Sequence, residues 1–591
     1  MSYRTLSAAE IAQLLSQGNV ADDWSLVEVA DPFDVSCVRS TTFMGHVFLG
    51  SLVRGERSVL GRTVPEGITC SALRNVVVGA HTAIHHVCLL DGYHLGSGVT
   101  LFNIGSMTCR ADVEGLEWLE PMNENGQRRL LPCVGMRVGD AYLWARYRGR
   151  RRLMEQFESF TRQFLASDGG TQGQVGDGAA IINVNTIADV AVQSSAADAT
   201  LIDGATALRS GVVGSGSTVG DGVVAQRFLL GEHVHLDAGL RLNDSVVGDN
   251  STLARGEVAS SLLFPGHEQH HASSFLIAAL VRGQSNVAAG AVIGSNHNSR
   301  TPDGEVAAGR GFWPGLCASF KHSSRFASCC LVAKGDYPYE LDIPLPFALV
   351  SNNVSRDRLE VLPAYWWLYN MYALDRNSRK YVARDHRVLR EQHIVFDLLA
   401  PDTADEMLHA LNLLETLRDD GDGTWLADCY EHSHRRVVVV KADAGRSAYR
   451  DMLVHYAMSV LGDNLPVEPD DVPCSGWHNV GGQLVCGADL ERMLDDVEAG
   501  VIDSWAALHT RLDSLWQSYP VQRRAHAYGV LCRLEGVERI TEGLWRQLCE
   551  RHAAILKYIE EQKAASRQKD ETNAFRRSTF LDDDERSAVW S

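Results

Sequence analysis

Aliphatic side chains recur along this chain with a beat that neither a helix nor an ordinary strand explains. From Gly211 the sequence reads GVVGSGSTVGDGVVAQRFLLGEHVHLDAGLRLNDSVVGDNSTLARGEV, with aliphatic residues at Val213, Val219, Leu230, Leu236, Leu242, Val247 and Leu253. The step is six, occasionally five. Glycines follow several of these positions, at Gly214, Gly220, Gly231 and Gly248. The same step runs upstream through Val175, Ile181 and Ile187, and further back through Val78, Ile84 and Leu90. A helix repeats every 3.6 residues and a half-buried strand every two. A step of six fits a chain that makes a short strand, turns, and makes another, with one aliphatic side chain per strand pointing inward. Glycine, Asp and Asn supply the turns. The pattern predicts a β-helix of stacked coils; its competitor is a β-sandwich with glycine-rich turns.

The beat is interrupted and then ends. Five regions follow: a lead segment 1–40, a first β-helix block 41–110, an insertion 111–170, a second block with its loops 171–355, and a helical C-terminal domain with a tail, 356–591. The lead segment predicts a short helix opened by Ser7, with Glu10 closing a capping box. In the insertion, residues 140–167 are strongly helical, and Arg148, Arg150, Arg151 and Arg152 form a basic cluster. That cluster reads as a solvated face pairing with Glu155 and Glu158, or as an anion clamp. Residues 361–387, with Tyr365, Trp366, Tyr369 and Tyr372, predict a helix docked on the end of the coils. Long helical patterns follow, and the polar tail from Lys569 predicts extended chain.

Composition narrows the function. The 591 residues carry a net charge of -19, which argues against nucleic acid as a partner. No apolar run reaches membrane-spanning length, and the first residues lack the order of a signal peptide. The thirteen cysteines are irregularly spaced, without CxxC, and predict reduced thiols in a cytoplasm.

Four polar clusters fall in the last coils. They are His267, Glu268, Gln269, His270 and His271; Asn296, His297, Asn298 and Arg300; Lys321, His322 and Arg325; and Lys334, Asp336, Glu340 and Asp342. Stacked coils place residues a whole coil apart above one another, so these clusters are expected to converge on one edge. A histidine there suits a general base, an asparagine the oxyanion, and lysine or arginine an anionic ligand. His267, His270 and His271 are also the candidate zinc ligands. His81, His85 and His86 are read as structural and His94 as a turn residue.

The hexapeptide beat resembles the hexapeptide-repeat proteins, over roughly Thr41 to Arg110 and Gly173 to Asn353. That resemblance implies a left-handed parallel β-helix and a homotrimer. The runs HHASSFLIAAL, GSNHNSR and VAKGDYPYELDIPLPFALVSNN also resemble an uncharacterised bacterial family of long hexapeptide proteins with a helical tail. Among hexapeptide acyltransferases, an Asn/Asp-His step follows a Val-Ile-Gly coil, as Asn296–His297 does here. The resemblance implies His297 as general base, with His270 or His271 as the alternative and Asn296 orienting it or serving the oxyanion. Arg300, Lys321, His322, Arg325, Lys334 and Asp336 would hold the substrate, and coenzyme A or an acyl carrier protein would be the donor. The usual VxxG-rich last coils are replaced by Pro-rich, aromatic segments, which places the coenzyme A groove in question. The expectation is an acyltransferase-like enzyme acting on a small sugar or sugar phosphate. The alternatives are a non-catalytic sugar-phosphate or nucleotide-sugar scaffold, and a zinc lyase of the γ-carbonic-anhydrase type.

Overall fold

In a computed structural model the chain forms a parallel β-solenoid of about 17 turns, followed by a largely helical region. The described residues are 2–110, 117–123, 127–167, 173–294, 305–421, 424–462, 464, 465, 474, 476–579, 582, 584, 585 and 588. Each regular coil has one short strand and one longer strand bent at its middle, and therefore three faces. On the first face Leu201 pairs in register with Thr218, then His235, Thr252 and Glu268. On the second, Ala207, Val224, Arg241, Glu257, Phe275 and Val292 align. On the third, Val212, Leu229, Val246, Leu262 and Leu280 align.

The six-residue beat is the inward side of this stack. Leu208, Ala225, Leu242, Val258, Leu276 and Ile293 form one buried ladder up the second face. Successive rungs are 16 to 18 positions apart, which is why a step of five interrupts the sixes. The corner between the second and third faces needs left-handed backbone, and short polar residues supply much of it, at Ser210, Asp244 and Ser260. Arg227 holds the same conformation, and its guanidinium pairs with Asp244 at 2.6 Å on the next coil.

The stack begins earlier than the sequence pattern indicated. Strand Tyr3–Thr5 pairs with Val27–Ala30, and helix α1 (Ala8–Ser16) carries the expected Ser7–Glu10 capping box. The insertion is two helices, α2 (Val138–Arg146) and α3 (Arg151–Ala166), rather than one. They cover the outward side of the third face, where Ala191, Val212, Leu229, Val246, Leu262 and Leu280 are buried. Tyr142 meets Phe264 edge-on at 5.2 Å.

Beyond the last coil the chain does not turn helical at once. Arg358–Leu362 pairs antiparallel with Leu349–Asn353, and Arg436–Val440 adds to it in parallel, so a sheet caps the solenoid. Helices α4 (Tyr365–Tyr369) and α5 (Met371–Ala383) dock beside it, with Trp366 and Trp367 buried and Tyr365, Tyr369 and Tyr372 half-buried. Then come α6 (Pro401–Thr416), α7 (Ala442–Leu461), a hairpin Trp477–Val480 with Gln483–Cys486, α8 (Gly487–Glu498), α9 (Trp505–Glu535) and α10 (Glu542–Thr572). Among its described residues the tail is helical through Thr572 and again in α11 (Ala574–Arg577), where extended chain was expected. Helices α8 and α9 close over the insertion: Phe157 stacks on Trp505 at 5.2 Å and His509 meets Asp140 at 2.7 Å. Arg150 bridges to Asp495 and Glu498 of α8, while Arg151 pairs with Glu155. The expectation of reduced thiols also needs correction, since Cys474 and Cys486 form a disulfide at the base of the hairpin.

One irregular segment, 384–400, runs back along the solenoid as a strap. Arg387 reaches Asp249 at 2.7 Å and Asp385 at 2.8 Å. The backbone amides of Arg390 and Glu391 donate to the carboxylate of Glu232, one coil further back. Arg310 completes the fastening. Its guanidinium, 2 % exposed, donates to both oxygens of Asp402, to Gln284, and to the carbonyls of Val395 and Asp397.

Candidate functional site

The covering of the third face stops at the end of α2, and a cleft opens there. It has a volume of about 610 Å³ and is walled by Arg146 from α2, by Arg282, Glu305, Arg325 and Asp342 from four successive coils, and by Glu406 and His409 from α6. A second lobe of about 360 Å³ continues it toward Trp477 and His478 of the hairpin. Arg282, Glu406 and His409 line both lobes, and so stand at the centre of the site.

Local structure explains the placement. Arg282 directly follows the strand Phe275–Val281, whose end lies on the third face, just past the last large aliphatic side chain of the covered column. Glu406 and His409 are three apart on α6 and therefore share one face of it. That face is fixed against the coils by the Arg310–Asp402 fork and by Ser328, whose N–H and hydroxyl donate to Glu406 at 2.9 Å and 3.1 Å. On the far side, Arg128 donates to the carbonyl of Ala145 at the end of α2 and to both oxygens of Glu305, another wall residue.

The cleft sets three guanidinium groups, Arg146, Arg282 and Arg325, against the carboxyl groups of Glu305, Asp342 and Glu406. Arg146 and Arg282 make no carboxylate pair among the described residues, and Arg325 meets Asp342 only loosely, at 3.7 Å and largely exposed. Burial and the neighbouring Asp402 carboxylate push the Glu406 carboxyl up to about 7, although the Ser328 hydrogen bonds and Arg282 oppose them. Burial holds the His478 imidazole below its usual range. A carboxyl that exchanges its proton near neutrality, beside unpaired guanidinium groups, is suited to acid–base work on an anionic ligand.

The residues expected from the sequence are placed as follows. Arg325 lines the cleft. Asn296, His297 and Arg300 lie outside the described residues. The chain leaves the second face after Ile293 and resumes on the third at Val306, with Glu305 already in the cleft wall. From Ile293 to Phe320, the next rung of the ladder, is 27 positions where other rungs take about 17, so this coil carries the extra length. Lys321 is tied to Glu340 at 2.6 Å, His322 is buried, and Lys334 and Asp336 are exposed; none of the four lines the cleft. His270 and His271 sit at the turn after the first-face strand, their rings 4.4 Å apart, and do not reach the cleft either. Neighbouring Glu268 binds Lys380 and Arg384 of the α5 end, which anchors that helix to the coils. His267 is fully buried, with its ring nitrogens on Ser285 at 2.8 Å and Gln269 at 3.2 Å. Both of its possible ligand atoms are thus occupied, and among the described residues no three His, Cys, Asp or Glu side chains are grouped to hold a metal ion. His85 is buried between Thr69 and the Pro65 carbonyl, as a structural histidine should be; His94 lies on a short strand rather than in a turn.

The cleft falls in the part of the chain that a family model recognises. Residues 3–418 match the model described as Domain of unknown function (DUF4954). The chain belongs to the DUF4954 family. The matched span takes in the solenoid, the insertion, the strap and α6, and so includes Arg146, Arg282, Arg325, Glu406 and His409. An uncharacterized protein of Treponema pallidum (strain Nichols) is 39 % identical over 654 aligned positions, covering 100 % of this chain and 90 % of that protein. The architecture beyond the DUF4954 match, including the hairpin and α7 to α10, therefore lies within the length shared with that relative. Among the described residues no helix is long and apolar enough to cross a membrane.

Proposed function

We propose that the cleft binds a small phosphorylated sugar, and that Glu406 exchanges a proton with it. The observation that carries this reading is the convergence of Arg146, Arg282 and Arg325 on one cleft whose central carboxyl titrates near pH 7. Guanidinium groups match the geometry of phosphate oxygens, and a recessed cleft strengthens each contact. A volume of about 610 Å³ is ample for a sugar phosphate, and the adjoining lobe adds length for a second group.

A specific observation favours acyl transfer as the reaction. Glu305, the first described residue after the Asn296–His297–Arg300 segment, is in the cleft wall. In this reading His297 takes the proton of the acceptor hydroxyl as it attacks a thioester, Asn296 serves the oxyanion, and coenzyme A or an acyl carrier protein leaves as the thiol. Membership of the left-handed hexapeptide superfamily, with assembly as a homotrimer, belongs to this same proposal.

Calorimetric titration separates the outcomes. Glucose 1-phosphate, a UDP-sugar, inorganic phosphate, coenzyme A and acetyl-coenzyme A are each added to the full-length protein. A sugar phosphate is expected to bind, and Arg282→Gln to weaken it roughly tenfold, the effect of losing one charge-assisted hydrogen bond. Absence of binding by every phosphorylated ligand would overturn the reading. Binding of acetyl-coenzyme A together with acetylated product supports transfer; binding of the sugar phosphate alone leaves a scaffold.

A further inference from the structure

The helical region holds a second cavity that shares no lining residue with the cleft. It measures about 470 Å³ and lies among α4, α5, the strap, α7, α9 and α10. Its floor is apolar and buried, formed by Trp367, Met371, Leu374 and Leu398, with Tyr456 beside them. Trp367 is held from behind by Tyr558, ring against ring at 6.1 Å. Its polar lining is Arg523, His455, Ser459 and Ser378 with two carboxylates, Asp397 bound to Arg523 and Asp375 bound to Lys563 at 3.2 Å.

Two features separate this cavity from a packing defect. A solvent-open recess of about 470 Å³ floored by buried Trp, Met and Leu side chains is prepared for an apolar occupant. The Arg523 guanidinium is also incompletely satisfied. Arg523 lies 6.0 Å from the Tyr456 ring and binds Asp397 through one terminal nitrogen at 2.7 Å. Its buried Nε has no acceptor among the described residues. A guanidinium carries five N–H donors, so one exposed carboxylate leaves it capacity for a further acceptor. The neighbouring imidazole of His455 is hydrogen-bonded to His552 at 3.1 Å and supplies a neutral polar wall.

We infer that this cavity is a binding site for a small amphipathic anion, its apolar or aromatic body on Trp367, Leu374 and Leu398 and its single carboxylate or sulfonate head on Arg523. The inference is independent of what the cleft binds. It has a bearing on the cleft all the same. The Tyr456 hydroxyl is hydrogen-bonded to buried His526 at 3.0 Å, and the other nitrogen of that ring meets Asp405, in the wall of the second lobe, at 3.0 Å. A side-chain chain of three residues thus joins the two cavities.

The probe is 8-anilinonaphthalene-1-sulfonate, with decanoate as competitor, on the full-length protein. Saturable fluorescence enhancement with one site per chain, reversed by decanoate, is expected. Arg523→Gln should weaken the dye roughly tenfold. Leu374→Trp, which fills the floor, should abolish the signal, and Ile559→Trp on the opposite wall does the same test if that variant does not fold. Arg282→Gln in the cleft should leave dye binding unchanged. No saturable site, equal binding by Arg523→Gln and either filling variant, or loss in Arg282→Gln would each overturn the inference.

Discussion

Glu406 and His267 are both buried titratable side chains, and they respond to pH in opposite directions. The Glu406 carboxyl is raised from 4.5 to about 7 in the folded chain. The fold therefore favours its protonated form, and its stability contribution is complete below about pH 4.5 and lost as pH rises through 7. Histidine 267 is lowered from 6.5 to about 4, because burial excludes its charged form. Its contribution is present above 6.5 and lost as pH falls toward 4. Replacing Glu406 by Gln, which keeps the shape and cannot ionise, should flatten the alkaline side. Melting temperatures measured from pH 5 to pH 8 should fall less for Glu406→Gln than for the parent, by roughly 1–3 °C. An identical slope in both proteins would mean that Glu406 titrates elsewhere. At this scale the sequence was only partly legible. Arg325 was found because it lies in a polar cluster, whereas Glu406 lies in ADEMLHALNLLETLRD, where a helical pattern hid its i, i+3 partnership with His409. Nothing local links that helix to Arg282, more than a hundred positions earlier.

Among elements, the third face shows what a periodic sequence conceals. The aliphatic beat marks Val213, Leu230, Val247 and Leu263, which point inward. Each is preceded by a second aliphatic residue, Val212, Leu229, Val246 and Leu262, which points outward and is covered by the insertion helices. These doublets, one per coil, were the available sign that one side of the solenoid is coated, and a reading tuned to single inward residues passes over them. The second face carries no such column: Arg209, Arg241 and Glu257 are exposed there. The two faces should accordingly answer the same chemistry differently. Val246→Asp places a charge under α2 and should cost about 3–5 kcal/mol in denaturant unfolding. Gln226→Asp on the second face should stay within about 0.5 kcal/mol. Equal costs at the two positions would show that the helices do not seal the third face.

For the molecule as a whole, the strap changes how a repeat protein should unfold. Solenoids usually come apart by neighbouring units, because each repeat touches only the next. Here Arg387 and Arg390 hold coils around Asp249 and Glu232, Arg310 ties a later coil to α6, and α8 and α9 clamp the insertion to the middle of the stack. Calorimetry should therefore show one dominant transition for the coils from about residue 190 onward, with van't Hoff and calorimetric enthalpies close to each other. Arg387→Ala leaves Asp249 buried without its partner and should cost about 3–5 kcal/mol, and it should broaden or split that transition. A stepwise melt in the parent protein would remove the strap from this role.

The extra ten or so residues in the coil between Ile293 and Phe320 have a consequence for where this scaffold can change without harm. The inward ladder passes from Ile293 to Phe320 with its register intact, so the added length is tolerated by the coils above and below. A change of length between Gly294 and Glu305 should therefore leave the rungs on either side, Ile293 and Phe320, paired as they are.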